Sequence, residues 1–95
     1  MRDYEIMTIH RPDLTEDDIE AKITEFEAYL SNSGASVTKR DLWGKRRFAY
    51  EIDHLSEGYY SVVSIQVEPG TLDSIDRMLL LADEVVRHKI VRPGE

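Results

Sequence analysis

ASVTKRDLWGKRRFAYEI, residues 35–52, decides the fold, because the whole topology turns on whether the glycine at position 44 ends a strand or bends one. Apolar and polar residues alternate on both sides of Trp43 and Gly44. A glycine inside such a pattern marks a bulge rather than an end. We therefore read one long, bent strand. Residues 53–58 are rich in turn formers, and in 59–67 the set Ser61, Val63, Ile65 and Val67 alternates with Tyr60, Val62, Ser64 and Gln66. The two stretches form a hairpin.

Working outward, residues 2–10 alternate Tyr4, Ile6 and Thr8 against Glu5, Met7 and Ile9, so neither face is wholly polar and the strand belongs inside a sheet. Pro12 breaks the pairing. Thr15 with Asp18 forms a capping box in which Asp replaces the usual Glu or Gln, and Glu16 and Asp17 suit the positive end of a helix. Ile19, Ile23, Phe26 and Leu30 then recur at helical spacing with Tyr29 beside them, and Gly34 can close the helix in the left-handed conformation. Pro69-Gly70-Thr71 starts a second, short helix with Leu72, Ile75, Met78, Leu79 and Ala82 on its apolar side. Residues 85–91 supply a last β-branched run. Its register is open, with Val86, His88 and Ile90 on one side and Val85, Arg87, Lys89 and Val91 on the other. Residues 92–95 form a frayed tail.

The order β-α-β-β-α-β defines an α+β, ferredoxin-like fold. Right-handed crossovers place both helices on one face of a four-stranded antiparallel sheet of order 4-1-3-2 and leave the other face open. With 95 residues, 41% of them hydrophobic, the chain has room for a single domain, 1–95.

The absence of cysteine removes disulfides, thiolate zinc sites, iron–sulfur clusters and a Cys nucleophile together, and fits a cytoplasmic setting. No export signal or membrane span is visible. His10, His54 and His88 lack metal-ligand spacing, and no phosphate loop, dinucleotide fingerprint or nucleophile elbow is present. The carboxylates at 16–20 sit where a helix start favours them without any chemistry. No catalytic residue, metal or other cofactor is expected.

The net charge is −7, yet it is unevenly spread. Residues 13–27 hold seven acids against Lys22, whereas 39–47 hold Lys39, Arg40, Lys45, Arg46 and Arg47 against Asp41 alone. Alternation sends Arg47, Ala49 and Glu51 to one side of the bent strand and Arg46, Phe48, Tyr50 and Ile52 to the other. Phe48 and Ile52 should then face the helices, with Arg46 escaping to the rim. Guanidinium groups on both sides of an edge strand can clasp a phosphate backbone. Met7, Ile9, Tyr60 and Val62 offer an uncovered apolar and aromatic surface beside them, suited to a partner or to base stacking. Two other readings stay open: the cations guard an edge against strand-to-strand aggregation, or the scaffold carries a ligand sensor or small enzyme.

Tyr4-Glu5, Gly34-Ala35, the run Gly44-Lys45-Arg46-Arg47-Phe48-Ala49-Tyr50, Gly58-Tyr59-Tyr60 and Val86-Arg87-His88 together resemble the family of small-subunit protein six of the bacterial ribosome. The resemblance spans the whole chain. It implies a non-enzymatic component that binds 16S ribosomal RNA in the central domain as a heterodimer with small-subunit ribosomal protein eighteen, among other ribosomal proteins. Arg46 and Arg47 would then contact phosphate and sugar, with Tyr50 and Tyr60 supporting a surface shared by RNA and partner, and Arg2 is a lesser candidate. Lys39, Arg40 and Lys45 join the RNA-binding set on charge alone. Met7, Ile9, Ala49, Tyr60 and Val62 form the expected protein-partner surface. A general RNA-recognition-motif module is the alternative, although KRRFAY lies on the second strand where that module carries its main signature on the third.

Overall fold

The computed structural model describes residues 1–93. Strand β1 (Arg2–His10) turns Tyr4, Ile6, Thr8 and His10 into the core, while Glu5, Met7 and Ile9 stay half-buried on the other face. The Thr8 and Ser61 hydroxyls meet at 2.6 Å across the sheet, so each satisfies the other in the interior.

Helix α1 (Glu16–Asn32) begins as its sequence dictates. Thr15 Oγ1 accepts from the Asp18 N–H at 3.1 Å and Asp18 Oδ2 accepts from the Thr15 N–H at 3.1 Å, a complete reciprocal cap. At the other end Gly34 takes φ 95°, which lets the Ala35 N–H reach Leu30 O at 2.9 Å and the Gly34 N–H reach Ser31 O at 3.2 Å. Ile19, Ile23, Phe26 and Leu30 are buried along one stripe.

Strands β2 (Ser36–Ile52) and β3 (Leu55–Val67) form the hairpin. The turn is shorter than the expected 53–58. It consists of Asp53 and His54 alone, at φ 51° and 65°, and β3 begins at Leu55. Two left-handed residues reverse the chain with a twist that matches the flanking strands, so residues 55–58 are free to pair. Asp and His tolerate that conformation better than most side chains.

A single 3-10 turn, Pro69–Thr71, leads into helix α2 (Leu72–Leu81), which buries Ile75 and Leu79. Strand β4 (Val85–Val91) follows, and the sheet order is β2-β3-β1-β4, the expected 4-1-3-2 read from the other edge. All neighbouring strands are antiparallel. Ile6, Ile65 and Val63 from the sheet join Ile23, Leu30 and Ile75 from the helices in one core, and each such burial contributes about 1.5–3 kcal/mol.

Pairing of Thr8 with His88 and Ile6 with Ile90 settles the β4 register: His88 and Ile90 face the helices and Arg87 and Lys89 the open side. A bulge at Val86 then brings Val85 opposite His10. His88 Nε2 lies 2.6 Å from Asp76 Oδ1 on α2. Of the expected tail, Arg92 and Pro93 lie beyond β4, and residues 94 and 95 fall outside the described residues. Among the described residues no helix is long and apolar enough to cross a membrane.

Candidate nucleic-acid interface

The bulge in β2 governs what the open face presents. Arg40 pairs with Val63 and Leu42 with Ser61, both on the core side, but Gly44 pairs with Tyr60 and Arg46 with Gly58. Trp43 is the extra residue, and Gly44 holds φ 85°, a conformation that favours glycine. One inserted residue reverses the face of the side chains that follow it, up to the next irregularity, between Arg47 and Ile52.

This overturns the expectation that Phe48 faces the helices. Its ring crosses Gly58 and meets Tyr60 on the open side, with ring centroids 6.0 Å apart and a tilt of 57°. Trp43 lies parallel to Tyr60 at 6.2 Å with 3° between the planes. Tyr60 is thus the middle member of an aromatic trio over β2 and β3. Stacked and tilted pairs of this kind are each worth about 0.5–1.5 kcal/mol beyond burial. Sequence reasoning singled out Tyr60 and missed Trp43 and Phe48, although Trp43 beside a strand glycine was the available signal.

Beyond Tyr60 and Gly44 the hairpin continues as an arm. Arg46 and Arg47 are exposed on it, opposite Gly58 and Glu57, and neither makes a side-chain hydrogen bond or ion pair among the described residues. Alternation puts Arg46 on the open side with Phe48, and Arg47 on the reverse. Tyr50 is 85% exposed further along the arm. The open face continues through Met7 opposite Val62 and Ile9 opposite Tyr60, all four half-buried. Ala49 is exposed on the arm, within the irregular stretch between Arg47 and Ile52.

The remaining cations separate. Arg40 stands apart from the arm. It turns toward α1, where Nε donates to Glu27 Oε2 at 3.1 Å, Nη2 donates to Glu27 Oε1, and Nη2 donates to Thr24 Oγ1 at 2.9 Å. The hydrogen bond to Glu27 pushes its pKa up despite the opposing effect of burial. Its guanidinium lies before the bulge and on the helix side, and the pair with Glu27 is less exposed than an open-surface ion pair. Lys45 also sits on the reverse side, 5.2 Å above the Tyr59 ring and 3.9 Å from Glu57 Oε1. Lys39 pairs with Ser64 and is exposed. Arg2 pairs with Val67, nine positions along β3 from Gly58, so roughly 30 Å separates it from Arg46. Arg2 and the arm do not form one site.

A further cation enters from β4. Arg87 Nη1 donates to Asp53 Oδ2 at 2.9 Å and to Val86 O at 2.9 Å, and Nη2 donates to Asp53 Oδ1 at 3.5 Å. The tip of the arm therefore curls across the open side to the opposite edge of the sheet. The result is an apolar and aromatic floor bordered by basic groups on both outer strands, with the acidic stretch of α1 carried by the helix layer.

The chain as a whole resembles known proteins. The family described as Ribosomal protein S6 matches residues 3–92. A relative from Symbiobacterium thermophilum named small ribosomal subunit protein bS6 is 46% identical over 95 residues, covering 100% of both chains. One of the same name from Desulforamulus reducens is 42% identical over 95 residues, again covering 100% of both. The crystal structure of 30S ribosomal protein S6 from Thermotoga maritima superposes with a TM-score of 0.90 at 26% identity, covering 96% of this chain and 86% of that one. The β-α-β-β-α-β fold and these full-length likenesses lead to one conclusion: the chain belongs to the Ribosomal protein S6 family.

Proposed function

We propose that this chain, a structural and non-enzymatic protein of the small ribosomal subunit, binds 16S ribosomal RNA in its central domain as a heterodimer with small-subunit ribosomal protein eighteen. The observation that carries the reading is the pair Arg46 and Arg47. Both are exposed and unpaired among the described residues, on opposite sides of an arm that adjoins the Trp43, Tyr60 and Phe48 rings.

Arginine forks suit phosphate oxygens, and phosphate contacts set position without reading sequence. The half-buried floor of Met7, Ile9 and Val62 supplies apolar area for a protein partner, with Tyr60 at the junction of the two surfaces. A net charge of −7 is compatible with this division of labour, since a basic partner is attracted to the molecule as a whole while the arm meets RNA. Lys39 and Tyr50 extend the RNA-facing set, and Arg2 would make a separate contact at the far end of the sheet.

The test is salt-dependent binding to a central-domain fragment of 16S RNA with protein eighteen present. Arg46→Ala and Arg47→Ala should each flatten the log–log salt slope by about 0.7–0.9 for the one phosphate lost. Unchanged slopes and affinities for both variants would refute the reading. Equal binding of arbitrary single strands without the partner would favour a general RNA-recognition module instead.

A further inference from the structure

We propose that Arg87 is a phosphodiester-binding residue of the open face, and that the Asp53 carboxylate occupies it as a stand-in until RNA arrives. The inference rests on the RNA-binding reading above and adds a contact on the opposite border of the sheet.

Three observations support it. The first is geometry: two nitrogens of the Arg87 guanidinium meet two oxygens of Asp53, at 2.9 and 3.5 Å. The same fork can donate to two oxygens of a phosphate. The second is access. The two side chains are 55% and 60% exposed, so exchanging one anion for another requires no repacking of the core. An ion pair this exposed is itself worth only about 0–1 kcal/mol. A phosphate within a polyanion brings counterion release that a lone carboxylate does not.

The third observation is position. Arg87 pairs with Ile9, Ile9 with Tyr60 and Tyr60 with Gly44, one row across all four strands. Three strand spacings amount to roughly 14 Å, so Arg87 and the Arg46 arm border the aromatic floor from its two sides. Lys89, opposite Met7, stands on the same border, exposed and without a hydrogen bond or ion pair among the described residues. Asp53 reaches Arg87 only because it sits at the tip of the curled arm, in a turn of two left-handed residues. Displacing it frees the tip of the same arm that carries Arg46 and Arg47. Binding at Arg87 and the position of the arm are thereby coupled.

The experiment uses the full chain with protein eighteen and the central-domain RNA fragment, titrated over a range of salt. Arg87→Gln should weaken binding about 3- to 10-fold and flatten the log–log slope by about 0.7–0.9. Asp53→Asn keeps a residue that tolerates the turn and removes the competing charge. It should tighten binding about 2- to 5-fold, and that gain should vanish when Arg87→Gln is also present. Arg87→Gln with unchanged slope and affinity overturns the inference, as does Asp53→Asn weakening binding as much as Arg87→Gln, which would make the pair a structural clasp. If Arg46→Ala and Arg47→Ala still weaken binding in those cases, the general reading stands and only this contact fails. If none of the four substitutions alters binding, both fail together.

Discussion

Gly58→Ala is the sharpest probe of how the arm joins the sheet. A Cβ at this position would lie 2.7 Å from Ile9 Cγ2, 2.9 Å from the His10 carbonyl oxygen and 3.0 Å from Phe48 Cζ. Carbon atoms pack best at about 3.5–4.0 Å, so each contact is short by roughly half an ångström or more. The Ile9 methyl and the Phe48 ring can rotate, at the cost of the contact with Tyr60. The His10 carbonyl cannot, because it belongs to the β1 backbone where His10 pairs with Tyr59. Overpacking costs about 1–3 kcal/mol, and a clash that includes backbone belongs in the upper half of that range. A loss of about 2–3 kcal/mol lowers Tm by roughly 10–20 °C in a domain of this size.

Urea unfolding followed by the fluorescence of the single tryptophan, Trp43, reads the loss directly. It should appear as a lower midpoint at unchanged slope. Gly70→Ala is the control, since no atom of the described residues lies within 4 Å of its added carbon and its φ is outside the left-handed region. It should stay within about 0.5 kcal/mol of wild type. A Gly58→Ala protein as stable as Gly70→Ala would refute the close crossing of Phe48, Ile9 and the β1 backbone at this point.

Two further outcomes follow from groups outside the interface. Arg40→Ala should cost about 1–2 kcal/mol of stability, between the values for exposed and buried pairs, because its partner Glu27 is 21% exposed and Arg40 itself 28%. It should leave the salt slope of RNA binding unchanged, and a flattened slope would return Arg40 to the RNA-facing set. His10 is 4% exposed, its Nδ1 has no hydrogen-bond partner among the described residues, and burial lowers its pKa below 6.5, opposed by Glu84 and reinforced by Lys22. The unfolded chain therefore takes up the proton first. The resulting stability is complete above about pH 7.5 and is lost as pH falls through 6.5, at a limiting slope of about 1.4 kcal/mol per pH unit. His10→Leu should flatten this limb between pH 7.5 and 5.5 in urea titrations, and a wild-type curve parallel to that of the variant would contradict the burial argument.

The Thr15–Asp18 cap, the Gly34 close and the alternation of β1 and of residues 59–67 were legible because each depends on residues within a few positions of one another. The local pattern alone fixes such features, and with them the element order and the motif-based family likeness. The bulge at Trp43 was also legible as an event. Its consequence was not: which face Phe48 and Arg46 occupy depends on a one-residue phase shift that only the partner strand defines, through Gly44 against Tyr60. The hairpin turn was overestimated for a related reason, since residues 55–58 become strand only once β2 pairs with them. Charge runs gave no hint of which cations stay free. Arg40 found Glu27 and Arg87 found Asp53 across 13 and 34 residues of sequence. Ion pairs are chosen among many available carboxylates by proximity in space, and that proximity exists only after the sheet has closed and the arm has curled over it.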